Sequence, residues 1–254
     1  AAFLAFAVLH IQLSHFATFD VTMATFVVLA ILMGVRGVRR GRAGDFLLAG
    51  VAGGLAIGSL ARALPVLLPI GLAPLARLWR ENGGFAGWGR WSPAGRRRAY
   101  ALLALALAAV LVAVVVFAAT NPFSIIDYRS FLKNIGEQGR MVRGEADWPF
   151  TRQYRGTTPF LYQIEQQMKW GLGWPLGLAA FAGLAWHVWR LLRGRASAGE
   201  IVALAWVLPY FVVNGAFMVK FMRYMVILTP FLCLFAAGLV EMLKHRARIL
   251  DQAN

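Results

Sequence analysis

The chain has 254 residues, of which 59% are hydrophobic and only 15% charged, and its 26 Lys and Arg against 11 Asp and Glu give a net charge of +15. A soluble domain is about 25% charged, so this composition excludes an ordinary water-soluble fold and predicts an all-α, polytopic membrane bundle. The basic residues fall in short clusters between apolar runs rather than along one face, which argues against a nucleic-acid partner. The single Cys233 lies inside an apolar run, which excludes an intrachain disulfide and a cysteine-based metal site.

The opening AAFLAFAVLHIQL has no basic leader and no small-residue cleavage site, so it reads as a truncated span at 1–13 rather than a signal peptide. The expectation is a C-terminal part of a larger module, forming one transmembrane domain over 1–254. Crossing the bilayer takes about 20 apolar residues. Spans are predicted at 21–35, 46–61, 63–78, 99–118, 174–192, 201–218 and 225–243. The two short ones, 46–61 and 63–78, meet at SLARALP, where Arg62 and Pro65 mark a break, and this pair reads as a helical hairpin that does not fully cross.

The arginines set the expected topology. Arg36, Arg39, Arg40 and Arg42, then Arg77, Arg80, Arg90, Arg96, Arg97 and Arg98, then Arg190, Arg193 and Arg195, then Lys244, Arg246 and Arg248 fall on one side if every span crosses. The positive-inside rule makes that side cytoplasmic. The alternation then places Ser14 to Asp20, Arg62, residues 120–172, and Lys220 with Arg223 on the outer face of a plasma membrane, against its lipids. Within 120–172, two helices are expected along the membrane surface. The first follows Asn121-Pro122 with Phe123, Ile126, Phe131 and Ile135 on one face; the second carries Phe160, Leu161, Ile164 and Met168. Trp170 and Trp174 suit the interface.

Between those helices, EQGRMVRGEADWPFTRQY concentrates charge. Arginine forks match phosphate oxygens, so Arg140, Arg143, Arg152 and Arg155 are candidate ligands of a lipid phosphate. The plainer reading is a solvated surface in which Asp127, Glu137, Glu145, Asp147 and Glu165 neutralise the loop's bases. Asp20 stands before a long apolar run, where a carboxylate is either functional or an N-cap. His15 and Asp20 are a weak divalent-metal pair, and no other cofactor is indicated. Lys220 and Arg223, three apart, would share a helix face and either bind an anion or snorkel to headgroups.

Three stretches resemble the dolichyl-phosphate-mannose protein mannosyltransferase family and its bacterial relatives, the lipid-carrier-dependent glycosyltransferases. They are SHFATFDVTMATFVVLAIL, LLAGVAGGLAIGSLARALPVLLP and VKFMRYMVILTPFL, and the charged loop is similar to the outer loop of the bacterial members. The resemblance implies a C-type, inverting glycosyltransferase that takes a sugar from a polyprenyl-phosphate donor at the outer face. It implies that Asp20 is the second acidic residue of a catalytic site that His15 neighbours, and that Lys220, Arg223 and Arg62 lie near the donor phosphate. The family's helix-pair lysine falls at Leu60 here, with Arg62 the nearest base. The family's first outer loop, which holds the expected base, would precede Ala1, so this chain alone is not expected to catalyse. Neither the sugar nor the acceptor can be read from the sequence. Two other readings compete: a transporter or flippase of an anionic lipid-linked substrate, and a non-catalytic membrane scaffold.

Overall fold

A computed structural model describes residues 1–82 and 92–253, and every regular element among them is helical. Arg90 of the second basic cluster lies outside the described residues. In chain order the α-helices are α1 (Ala2–Ala5), α2 (Val8–His15), α3 (Phe19–Arg40), α4 (Ala43–Ser59), α5 (Leu67–Asn82), α6 (Pro93–Thr120), α7 (Phe123–Ile126), α8 (Tyr128–Arg143), α9 (Leu161–Gln166), α10 (Trp174–Leu192), α11 (Ala198–Ala216) and α12 (Thr229–Ala253).

By length and apolarity, four stretches can cross a membrane: Phe19–Arg40, Ala61–Glu81, Pro93–Thr120 and Ala198–Ala216. They identify an integral membrane protein. The other segments expected to span are also helical, as α4, α10 and α12, and α4 is a shorter apolar helix of 17 residues. The break expected at SLARALP is present. Leu60 is extended, and a 3₁₀ turn, Ala61–Val66, carries Arg62 and Pro65 into α5.

The chain divides into two compact units. One comprises Thr22–Ile135 with Ala196–Tyr210. Its tightest packing is between α4 and α6, where Gly50, Gly54 and Gly58 repeat every fourth residue along α4. A Cβ on Gly54 would lie 2.5 Å from the Ala113 carbonyl oxygen and 2.7 Å from Val116 Cβ. Helices in lipid gain by such close approach, because small residues let backbones touch. Ser92 caps α6 by accepting from Gly95 N–H at 3.1 Å, with Pro93 opening the helix. Arg77 closes the end of α3. It donates to the Val38 and Arg39 carbonyls at 2.8 and 3.1 Å and pairs with Glu81, while Arg36 lies 3.9 Å from Asp45. A cavity of about 240 Å³ beside Leu72, Trp79 and Ile201 has only apolar walls.

The other unit comprises Ala1–Val21, Gly136–Arg195 and Phe211–Asn254. Here α10 and α12 pack with Gly183 against the Phe235 backbone, and the His187 ring meets Phe235 at 4.9 Å. The segment 120–172, whose first part up to Ile135 belongs to the unit described before, departs from the expected two helices with a loop between them. α7 ends at Asp127, whose carboxylate accepts from Ser130 N–H at 3.2 Å and starts α8. α8 then runs through the first part of the charged stretch to Arg143. The second part holds a 3₁₀ turn, Pro149–Tyr154. The sequence favours this because Glu137, Gln138, Arg140, Met141 and Arg143 are good helix formers, and Gly144 ends the helix at φ +80°.

Candidate functional site

The buried polar side chains are distributed unevenly. Asp20, Thr151, Gln163, Gln167, His187, Asn214, Lys220 and Thr229 all belong to the second unit, and Asp45 alone to the first. Buried polar groups in a membrane bundle are costly and mark function.

Lys220 is the central feature. It is 2% exposed, and its ammonium donates to Thr157 Oγ1 at 3.0 Å and to the Met218 carbonyl at 3.1 Å. No carboxylate pairs with it among the described residues, and burial alone pulls its pKa below the ordinary lysine value. The position is built by the segment 136–172. Val219 N–H donates to the Val142 carbonyl at 3.1 Å, tying residues 218–221 to the end of α8. Met218 covers Gly144, where a Cβ would lie 2.6 Å from Met218 Cε. Thr157 Oγ1 accepts from Lys220 and in turn donates to the Tyr154 carbonyl at 2.7 Å.

The next residue, Phe221, belongs to an aromatic cluster. Phe221 meets Tyr154 edge-on at 5.4 Å and stacks on Phe150 at 6.2 Å, and Tyr154 meets Tyr162 of α9 edge-on at 5.9 Å. Burial pushes the Tyr154 phenol up to about 12, so it stays neutral at physiological pH. Arg223 is exposed, its guanidinium 5.1 Å from the Phe221 ring centre and 5.9 Å from that of Tyr224. Lys220 and Arg223 therefore do not share a helix face, as their spacing had indicated. Residues Met222–Met225 form a 3₁₀ turn, with Lys220 before it, inward, and Arg223 on it, outward. Snorkelling describes Arg223 but not Lys220.

The four loop arginines are exposed and paired. Asp147 accepts two bonds from Arg152, at 2.9 and 2.8 Å, and one from Arg155 at 2.8 Å. Glu145 accepts from Arg143 at 2.5 and 3.2 Å, with Arg140 at 4.0 Å. The Arg152 bond chiefly holds the Asp147 carboxyl below its usual range, and the Arg143 bond does the same for Glu145. Toward Lys220, the Asp147 cluster braces the turn that presents Tyr154 and Thr157.

Asp20 is 5% exposed and sits inside the first turn of α3, one residue past the helix start, where a carboxylate faces the positive end of the helix dipole. His15 is exposed at the end of α2 and meets Phe16 edge-on at 5.5 Å. Among the described residues no group of three or more His, Cys, Asp or Glu comes together to hold a metal. Arg62 is half-buried in the first unit.

Sequence reasoning passed over Thr157, Gln163 and Gln167. The two glutamines are four apart in PFLYQIEQQMKW, and the signal available was a polar pair interrupting an otherwise apolar helix face.

No curated protein and no solved structure matches the chain. The SHFATFD and LLAGVAGGLAIGSLARALPVLLP stretches lie inside the region a family model recognises, whereas the charged loop and VKFMRYMVILTPFL lie beyond it. Over residues 1–83, which carry Asp20 and Arg62, the chain matches the dolichyl-phosphate-mannose-protein mannosyltransferase family, whose members are glycosyltransferases using lipid-phosphate sugar donors.

Proposed function

We propose that this chain forms the donor-lipid part of a multi-spanning, inverting glycosyltransferase that moves a sugar from a polyprenyl phosphate to an acceptor at the outer face of the plasma membrane. The observation that carries this reading is the buried Lys220 ammonium without a carboxylate partner among the described residues. A buried cation held only by a hydroxyl and a carbonyl is uncompensated, and an anionic ligand completes it.

In this reading the donor phosphate lies against Lys220, with Arg223 at the solvent side. As the glycosidic bond breaks, charge gathers on the leaving phosphate, and a fixed cation in a poorly solvated place stabilises that charge more than it stabilises the donor. Asp20 serves as the second acidic group near the acceptor, and the proton of the acceptor hydroxyl must pass to a carboxylate. Arg140, Arg143, Arg152 and Arg155 rank below Lys220 as phosphate ligands, because a phosphate would have to displace Glu145 or Asp147 from them. Their role here is to brace the segment that seats Lys220. The seven-segment topology, with the basic clusters inside and the segment 120–172 outside, completes the proposal.

Binding of polyprenyl phosphate to the full chain in vesicles tests it. Wild type should bind the lipid and K220M should bind it at least about tenfold more weakly. Equal binding by the two would refute the assignment of Lys220.

A further inference from the structure

Two carboxamides are buried on α9 and the turn that follows it. Gln163 is 0% and Gln167 1% exposed, and neither the nitrogen nor the oxygen of either amide has a hydrogen-bond partner among the described residues. Native proteins rarely leave four such atoms unmatched. The two residues are four apart and so share one helix face, with Cβ atoms about 5–6 Å apart.

The local backbone is also unusual. Phe160, just before α9, has φ 61° and ψ −52°, and Leu161 N–H donates to the Pro159 carbonyl at 2.6 Å across it. Such a conformation is costly for a residue with a Cβ and persists where its surroundings enforce it. Gly215 enforces it here, since its carbonyl accepts from Phe160 N–H at 3.0 Å and the Phe160 ring lies over its Cα. At its other end α9 passes into a π-helical turn, Gln167–Gly171, closed by Leu172 N–H to the Gln167 carbonyl at 2.8 Å. Gly171 lies under the Gln167 amide, where a Cβ would be 2.9 Å from Cδ. Isolated π turns recur at functional sites. Both α9 and the π turn pack against Met222–Met225, the turn that begins two residues after Lys220.

We propose that Gln163 and Gln167 form a neutral subsite that binds hydroxyl groups of the sugar carried by the lipid donor, next to the position of its phosphate at Lys220. This rests on the donor reading above. Each amide supplies donors and an acceptor in a fixed plane, and neighbouring sugar hydroxyls both donate and accept. Carboxamides leave the sugar uncharged surroundings while the cation serves the phosphate. The shared helix face gives the two amides a spacing suited to hydroxyls on one ring.

The test compares two lipids, polyprenyl-phosphate-mannose and sugar-free polyprenyl phosphate, on the full chain in vesicles with wild type, Q163M, Q167M and K220M. Each glutamine variant should lose about three- to tenfold affinity for the sugar-bearing lipid and keep wild-type affinity for the sugar-free one. K220M should lose both. Thermal unfolding without ligand supplies the second readout: methionine replaces an unmatched amide, so Tm should hold or rise. The inference is overturned if the two lipids weaken equally in Q163M and Q167M, if neither weakens, or if either variant unfolds at markedly lower temperature. If K220M loses both lipids while the glutamine variants bind normally, the subsite alone fails. If wild type binds neither lipid, the donor reading fails with it.

Discussion

Thr157 holds Lys220 from a position sixty-three residues away in sequence, its hydroxyl accepting from the ammonium at 3.0 Å and donating to the Tyr154 carbonyl at 2.7 Å. That relay links the long segment after α6 to the segment between α11 and α12, and makes the seat of Lys220 depend on both. Thr157→Val keeps the shape and removes the acceptor. It leaves a buried charged donor with the Met218 carbonyl, so it should destabilise the protein by about 1–3 kcal/mol. Thermal unfolding of T157V beside T157S checks this, with T157S close to wild type.

Lys220 itself should behave oppositely in stability and in binding. Its pKa is below the ordinary 10.5, so the unfolded chain binds more protons than the folded one between the two values. Stability therefore rises with pH through that window, and charge burial is a standing cost below it. K220M removes the cost and should raise Tm by about 2–4 °C while weakening phosphate binding. Wild-type affinity for polyprenyl phosphate should fall with rising pH before 10.5 is reached, as the ammonium loses its proton. K220R, which stays charged, should show no such fall. A flat wild-type profile up to the ordinary lysine value would contradict the burial argument.

Asp147 gathers Arg152 and Arg155 within 2.9 Å but is exposed, so its pairs should matter locally rather than globally. Asp147→Asn should leave Tm nearly unchanged and speed amide exchange and protease cleavage around 147–157. Its folded pKa is depressed below 3.8, so the bracing is complete above that value and is lost as pH falls through the depressed one. Hydrogen exchange of the same peptides should rise below about pH 4 in wild type and be insensitive to that range in D147N.

Much of this architecture is legible in the residue pattern, for identifiable reasons. Apolar length gave the helices, and the Pro65 and Arg62 break between α4 and the following segment reads directly from SLARALP. The sequence could not separate Lys220 from Arg223, because three-residue spacing implies a shared face only inside a helix. Here Lys220 lies in non-helical backbone ahead of the Met222–Met225 turn and is buried, while Arg223 on the turn is exposed. The charged stretch reads equally as a phosphate site and as a self-neutralised surface, and its arginines pair with near neighbours in sequence. Charge density marks a surface well. It does not show which cation is buried away from carboxylates, because that placement depends on residues distant in sequence such as Thr157.

The placement of α9 depends on a glycine that no local pattern singles out. Gly215, in the last turn of α11, accepts from Phe160 N–H at 3.0 Å, and a Cβ added to it would lie 2.9 Å from Phe160 Cε1 and nearer still to Cδ1. The ring cannot simply swing away, because Phe211 packs against it at 6.0 Å and the Phe160 backbone is already in a strained conformation. Gly215→Ala should therefore cost about 1–3 kcal/mol, and by loosening the start of α9 it should raise hydrogen exchange from Leu161 to Gly171. Gly136→Ala is the control, since nothing lies within 4 Å of its added Cβ on α8, and there the change should be neutral or stabilising by up to about 1 kcal/mol. Combining G215A with F160A removes the ring that the new Cβ would strike. The double variant should then be less destabilised than the sum of the two single ones. Strict additivity would mean that Gly215 is required for something other than room for Phe160.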